Sequence, residues 1–454
     1  MSHSDARSAR TLSSDDTGRR ARAAALACMI GLAVALGVGR FAFTPLLPLM
    51  LADRSIDLNG GSWLASANYA GYFVGAVSCA ALRIAPARMV RFGLAATVLL
   101  TAAMGVGHLL PVWLAVRFVA GVVSAWTFVF VSQWGLRRLA ELREPEWGGV
   151  IYAGPGAGIV LTGLIGSALA GHRAALGWLG FAALSAVLSA AIWRTFGSGP
   201  ATIASPHGTA ANAAAAPDAR HAARRARADA ALLIVLYGMP GFGYIITATF
   251  LPVIARAALP AGSPWPDLFW PMFGAALIVG AIAAARLPAQ WDNRLLLAAG
   301  CATQALGIAA GIVWPTALGF SVGSALLGLP FTAITLFAMR EARRLHGERA
   351  AGLMGYATAS YGVGQILGPL VAAPLAARFG SFTPALWVAA GALLAGAAGF
   401  AASAAGGRAR RGRRRGRVVC RPGQRGRMEA LPRRAGGRGP PRGRGGGAPA
   451  TSPR

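Results

Sequence analysis

The sequence predicts an all-α membrane protein: twelve transmembrane helices in two six-helix bundles related by a pseudo-two-fold repeat. Three observations predict it. Of the 454 residues, 55% are hydrophobic and only 13% are charged, whereas a soluble domain carries about 25% charged residues. The 44 basic residues are all arginine, face only 15 acids and give a net charge of +29. Finally, glycine, proline and tyrosine patterns of the first half recur in the second half at an offset of 204 or 205 residues. Such a chain is too apolar for a disordered basic protein and too poor in carboxylates for an ordinary cytosolic enzyme.

The elements follow in order. Residues 1–23 form a basic N-terminal segment, expected in the cytoplasm. The apolar run behind it continues past Gly39 through FAFTPLLPLML, beyond the roughly 7–15 residues of a signal-peptide core. It is therefore an uncleaved first span. The twelve spans are expected at 24–51, 62–82, 91–108, 109–136, 148–170, 175–193, 231–255, 268–285, 295–313, 316–339, 350–376 and 383–404, matching the length of about 20 residues that crosses a bilayer. Residues 24–193 make the first bundle and 231–404 the second, joined by a cytoplasmic Ala/Pro/Ser/Arg-rich linker at 194–230. With the N-terminus inside, the cytoplasmic segments before the tail hold 22 arginines and the external loops hold four, Arg54, Arg173, Arg256 and Arg378. That bias orients the chain with both termini cytoplasmic.

The final segment, 405–454, holds 16 arginines and one acid, Glu429. It has almost nothing to bury, so disorder is expected. Its RGRRRGR and PRGRGGG tracts admit three readings: an inert extension, attraction to anionic lipid, or nucleic-acid contact. Nucleic acid is not expected as a partner.

The repeat is specific in its alignment. Gly37, Gly39, Leu47 and Pro48 fall on Gly241, Gly243, Leu251 and Pro252. Gly148, Tyr152, Ala153 and Gly158 fall on Gly352, Tyr356, Ala357 and Gly362. Parallel six-helix repeats point to a transporter with its site between the halves near the midplane.

These patterns resemble the YbfB/YjiJ-like bacterial transporters of the major facilitator superfamily. The resemblance rests on GVGRFAFTPLLPLM (37–50), LASANYAGYFVGA (64–76), YGMPGFGYIITATFLPVIAR (237–256) and GYATASYGVGQILGPLVA (355–372), and covers about residues 20–404. RFVAG, with Arg117 and Gly121, is similar to the superfamily's Arg-plus-Gly motif in span four. GPGAG, with Gly154, Pro155 and Gly158, partly matches the Gly-Pro motif of antiporters in span five. The resemblance implies a major facilitator fold in a bacterial inner membrane, a monomer and no cofactor; Cys28, Cys79, Cys301 and Cys420 form no CxxC pair or Cys/His cluster, so no metal is expected. It does not imply a cargo. The loop between spans two and three, ALRIAPARMVR, keeps arginines but lacks the acidic residue of the superfamily motif.

Within the spans the titratable inventory is sparse. None of the fifteen acids falls inside an expected span, and the six histidines are expected in loops or termini, His108 standing at the very end of the third span, so no buried proton carrier of the usual kind is expected. Two arginines do lie at depth. Arg40 sits roughly 16 Å from the outer end of span one and Arg117 roughly 12 Å inside span four, at 1.5 Å per residue. The corresponding repeat positions are Tyr244 and Ser321, so the scaffold itself requires neither charge. Arg40 suits either a substrate anion or the exposed backbone near Pro45 and Pro48. A structural or gating role fits Arg117, together with Gly121, Gly154, Pro155, Gly158, Pro48 and Pro252. Thr44, Asn68, Tyr72, Tyr152, Tyr244, Tyr356, Tyr361 and Gln365 are the polar and aromatic candidates to line a pocket with Arg40, packing being the alternative for each.

The expected function is secondary transport of a small organic solute, an organic anion anchored by Arg40, by alternating access. The alternative is an exporter of amphipathic or aromatic compounds, favoured by GPGAG and the tyrosines. A membrane enzyme would need a His, Asp or Glu constellation at depth, and a P-loop needs a lysine; the chain has neither.

Overall fold

The structure is a computed structural model and describes residues 3–197, 217–288, 290–347 and 350–419. Among them every regular element is helical. The chain falls into two units, Met1–Gly406 and Gly407–Arg454; all that follows, apart from the end of α15, concerns the first.

Span one consists of α1 (His3–Leu32), a π-helical stretch (Ala33–Val38) and α2 (Phe43–Ala52). α3 (Leu58–Ser78), α4 (Pro86–Val106) and α5 (Leu110–Glu141) follow as spans two to four. Span five breaks into α6 (Gly148–Tyr152) and α7 (Gly154–Ala168), because Pro155 has no amide hydrogen to continue the ladder. α8 (Ala174–Ile192) is span six, and α9 (Pro217–Ala258), α10 (Trp265–Arg286) and α11 (Asn293–Val313) are spans seven to nine. Span ten breaks at Pro330 into α12 (Ala317–Gly328) and α13 (Phe331–His346), before α14 (Ala350–Phe379) and α15 (Thr383–Val419) complete the twelve. Eleven of these rods are long and apolar enough to cross a membrane; α3, with Asn59, Asn68 and its glycines, is the more polar twelfth.

Some bounds differ from expectation. α1 begins within the basic N-terminal segment, and α9 begins within the expected linker. α15 continues to Val419, so part of the expected coil at 405–454 is helical; alanine and arginine are both good helix formers. The rest of that segment, and linker residues 198–216, lie outside the described residues.

The two halves pack by the same rule. Gly37 of span one lies against Gly158 of α7 so closely that a Cβ on Gly37 would stand 2.4 Å from the Gly158 Cα. Its repeat mate Gly241 lies against α14, where a Cβ would stand 2.4 Å from the Tyr361 carbonyl oxygen. Small residues at such crossings let main chains meet, which is how helices associate where no hydrophobic effect drives them together. The halves then join through α7 with α10 and through α3 with α14. These two pairings are each other's repeat mates.

One expectation is corrected here. Glu341, expected outside the spans, lies on α13 within the apolar rod Ala317–His346 and is 2% exposed. Its carboxylate accepts from Arg344 at 2.5 and 2.7 Å and lies 3.7 Å from Arg294. Arg294 in turn bonds Asp292 and the Ser403 carbonyl, the latter at 2.9 Å, tying α11, α13 and α15 together. Burial opposes ionisation of Asp292, but the hydrogen bonds and charge of Arg294 outweigh it and hold the carboxyl below its ordinary range.

The close crossing is testable. Gly37→Ala is expected to lower the melting temperature and the yield of monodisperse protein on size-exclusion chromatography, since overpacking a tight contact costs about 1–3 kcal/mol. Gly149→Ala, where no atom lies within 4 Å of an added Cβ, is expected to leave both unchanged. Equal behaviour of the two variants would refute the crossing.

Candidate functional site at the junction of the halves

The site begins with a fault in span one. Pro45 cannot donate to the Phe41 carbonyl, and Thr44 N–H bonds that carbonyl instead, at 3.2 Å. The Arg40 carbonyl thereby loses the amide that a regular helix would have given it. Upstream, the π-helical stretch carries bonds from Gly39 N–H to the Val34 carbonyl at 3.0 Å and from Phe41 N–H to the Leu36 carbonyl at 3.0 Å. At membrane depth no water can complete such a backbone. Arg117 does so: its Nη1 donates to the Gly39 carbonyl at 3.3 Å and its Nη2 to the Arg40 carbonyl at 3.1 Å. Its guanidinium also lies 5.1 Å from the centre of the Phe43 ring. The backbone role considered for Arg40 thus belongs to Arg117.

Arg40 is the counterpart with two donor nitrogens unpartnered. The side chain is 5% exposed, yet Nε and Nη2 have no hydrogen-bond partner. Three aromatic rings surround it, those of Tyr72, Tyr69 and Phe41, with centres 4.1, 5.2 and 5.2 Å from the guanidinium carbon. Cation–π attraction of this kind is worth about 2 kcal/mol when desolvated, comparable with the 2.5–3.5 kcal/mol or so that inserting an arginine at mid-membrane costs.

From this cage an aromatic wall crosses into the second half. Phe41 meets Trp270 and Phe331 edge-on at 6.0 and 6.4 Å. Phe331 meets Tyr244 at 5.0 Å, Tyr244 stacks on Tyr361 at 5.8 Å, and Tyr361 stacks on Tyr237 at 4.9 Å. Gln365 donates from Nε2 to the Tyr244 hydroxyl, and the Tyr237 hydroxyl donates to Thr335 at 3.1 Å. Three further hydrogen bonds stitch the halves. Thr44 donates to the Ala248 carbonyl at 3.0 Å, Tyr69 pairs with Thr249 at 3.0 Å, and Ser66 donates to the Ile366 carbonyl at 2.9 Å. Thr44 and Ala248 are themselves repeat mates, so the pseudo-two-fold axis passes between them.

Of the expected pocket residues, Arg40, Thr44, Tyr72, Tyr244, Tyr361 and Gln365 therefore gather at the junction. The others do not. Asn68 turns to α5, donating to the Arg117 carbonyl at 3.0 Å. Gly121 sits beneath it, where an added Cβ would fall 2.0 Å from the Asn68 carbonyl oxygen. Tyr152 packs on Phe128 at 6.3 Å. Tyr356 is 69% exposed on the first turns of α14, where Gly352 and Gly355 also have no neighbour within 4 Å of an added Cβ. Among the structural candidates, Gly154 packs on the Met29 carbonyl, Gly158 on Ala33 and Gly37, and Pro48 and Pro252 lie inside α2 and α9. Tyr69, Phe41 and Phe331 complete the site without having been expected there. Tyr69 was within reach of a spacing argument, being three residues before Tyr72 on one helix face; Phe331 carries no such signal.

A family model described as "Uncharacterised MFS-type transporter YbfB" matches residues 32–400. The chain belongs to this family. Many solved structures share the fold. The crystal structure of a point mutant of the nucleoside transporter NupG aligns with a TM-score of 0.67 at 14% identity, covering 84% of this chain and 99% of that one. A D-xylose-proton symporter aligns with a TM-score of 0.63 at 11% identity, covering 83% and 96%. No curated protein matches the chain. This YbfB-type chain is thus a multi-pass transporter of the major facilitator superfamily, and its neighbours are transporters rather than enzymes.

The two arginines should separate in stability measurements. Arg117→Leu forfeits two charge-assisted hydrogen bonds of about 1.5–3 kcal/mol each and leaves two carbonyls unpaired, so a clear drop in melting temperature is expected. Arg40→Leu removes a buried charge that holds no bond through Nε or Nη2, and its melting temperature is expected to equal or exceed that of the parent. The reverse order would overturn the assignment.

Proposed function

We propose that this protein carries a small organic anion across the bacterial inner membrane by alternating access, with Arg40 as the anion's anchor. The observation that carries this reading is the Arg40 guanidinium: 5% exposed, with two donors unpartnered and, among the described residues, no carboxylate forming an ion pair with it. A buried donor without a partner costs about 1–3 kcal/mol, more when charged. A ligand that supplies the partner relieves that cost. The seam of Thr44, Tyr69 and Ser66 against the second half supports the alternating-access part, because such side-chain bonds between the halves can part as units. The arginine bias of the loops supports placing both termini in the cytoplasm.

A second reading, export of aromatic amphiphiles, draws support from the stack of Tyr237, Tyr361 and Tyr244. Transport by the reconstituted protein separates the two. In proteoliposomes, uptake of labelled organic acids is expected to saturate, and Arg40→Gln is expected to weaken it about thirtyfold or more, the loss of roughly 2 kcal/mol of charge-assisted bonding. Retained anion transport by Arg40→Gln would sink the anion reading, and movement of neutral or cationic amphiphiles alone would favour export.

A further inference from the structure

Building on that reading of Arg40, we infer that the anion is a monocarboxylate with a planar aromatic body. Three features of the site converge on this class.

The first is which atoms are free. Nε and Nη2 of Arg40 are the unpartnered pair, and they lie along one edge of the planar guanidinium. Their two N–H bonds run parallel, at the spacing of the two oxygens of a single carboxylate. The free edge is therefore a complete bidentate carboxylate site rather than a lone positive charge.

The second is what is not free. The other buried guanidinium of this junction, Arg117, has Nη1 and Nη2 committed to the carbonyls of Gly39 and Arg40. Its remaining Nε is unpartnered but offers one hydrogen and no fork. A second carboxylate on the same ligand would find no second guanidinium fork at this junction, and a buried charge without a full partner is costly. One arginine edge matches one anionic group.

The third is the surface next to the charge. The cage of Tyr72, Tyr69 and Phe41 around Arg40 continues through Phe331 into the stack of Tyr244 and Tyr361. Each ring contact in the wall is stacked or edge-on. A flat ring entering between the halves exchanges these contacts for equivalent ones of about 0.5–1.5 kcal/mol beyond area burial. A puckered aliphatic ring of the same size gains the area term alone.

The test is a set of thermal-shift titrations on the purified full-length protein. Probes are benzoate, 2-naphthoate, cyclohexanecarboxylate, acetate, phthalate and benzamide. Benzoate and 2-naphthoate are expected to raise the melting temperature with midpoints at least tenfold lower than acetate and phthalate, and about threefold or more lower than cyclohexanecarboxylate. Benzamide is expected to give no shift, and Arg40→Gln, checked for folding by size exclusion, is expected to lose the benzoate response. Tyr361→Leu is expected to bring benzoate and cyclohexanecarboxylate level while keeping the response to carboxylates. If acetate, phthalate or cyclohexanecarboxylate matches benzoate in an Arg40-dependent way, the aromatic monocarboxylate class is wrong and the anion anchor stands. If benzamide matches benzoate, if Arg40→Gln still responds, or if no probe shifts the protein, the anchor itself is wrong.

Discussion

Two main-chain carbonyls, those of Gly39 and Arg40, govern the arrangement of the whole junction. In hydrocarbon a carbonyl without a donor has no water to turn to, and Pro45 removes the donor that would have kept span one regular. Arg117 supplies the missing hydrogens from α5. That commitment decides the state of the second arginine. With the local carbonyls already satisfied, Arg40 lies among the rings of Phe41, Tyr69 and Tyr72. Two arginines on neighbouring helices thus differ in kind: one holds the backbone, and one keeps two buried donors unpartnered.

The repeat supplies the frame and the departures from it supply the chemistry. Gly37 and Gly241 make the same close crossing in each half, and α7 with α10 mirrors α14 with α3. At the repeat mates of the arginines, however, stand Tyr244 and Ser321. Ser321 bonds the Ala317 carbonyl of its own helix at 2.8 Å, and α9 runs unbroken from Pro217 to Ala258. Span seven is continuous helix at the corresponding place and needs no guanidinium there. The cationic side of the junction is therefore confined to the first half, and the tyrosine stack to the second.

Much of the fold was legible because it follows from local composition. Apolar stretches of the right length, arginines at alternate connections and a fixed offset between glycine motifs are each readable without knowing any contact. The site was legible only in part. Arg40, Thr44, Tyr72, Tyr244, Tyr361 and Gln365 were found because polar groups at membrane depth are few. Asn68, Tyr152 and Tyr356 were grouped with them by the same reasoning, and depth alone does not say which way a side chain turns around its helix. Glu341 escaped because α13 continues beyond the apolar run, and because the cations that shelter it, Arg294 and Arg344, come from different elements.

The sequence by itself determined that twelve helices cross the membrane in two related sets of six, and that two guanidinium groups lie deep within the first set. Those conclusions rest on transfer free energies, which depend on residue type and chain position. Only the tertiary structure decided which arginine is committed and which is free. Arg117 is separated by 77 residues in sequence from the Arg40 carbonyl it bonds, and the rings that box Arg40 belong to both span one and span two. Hydrogen bonds and ring contacts are directional and short, so their assignment waits on where the helices meet.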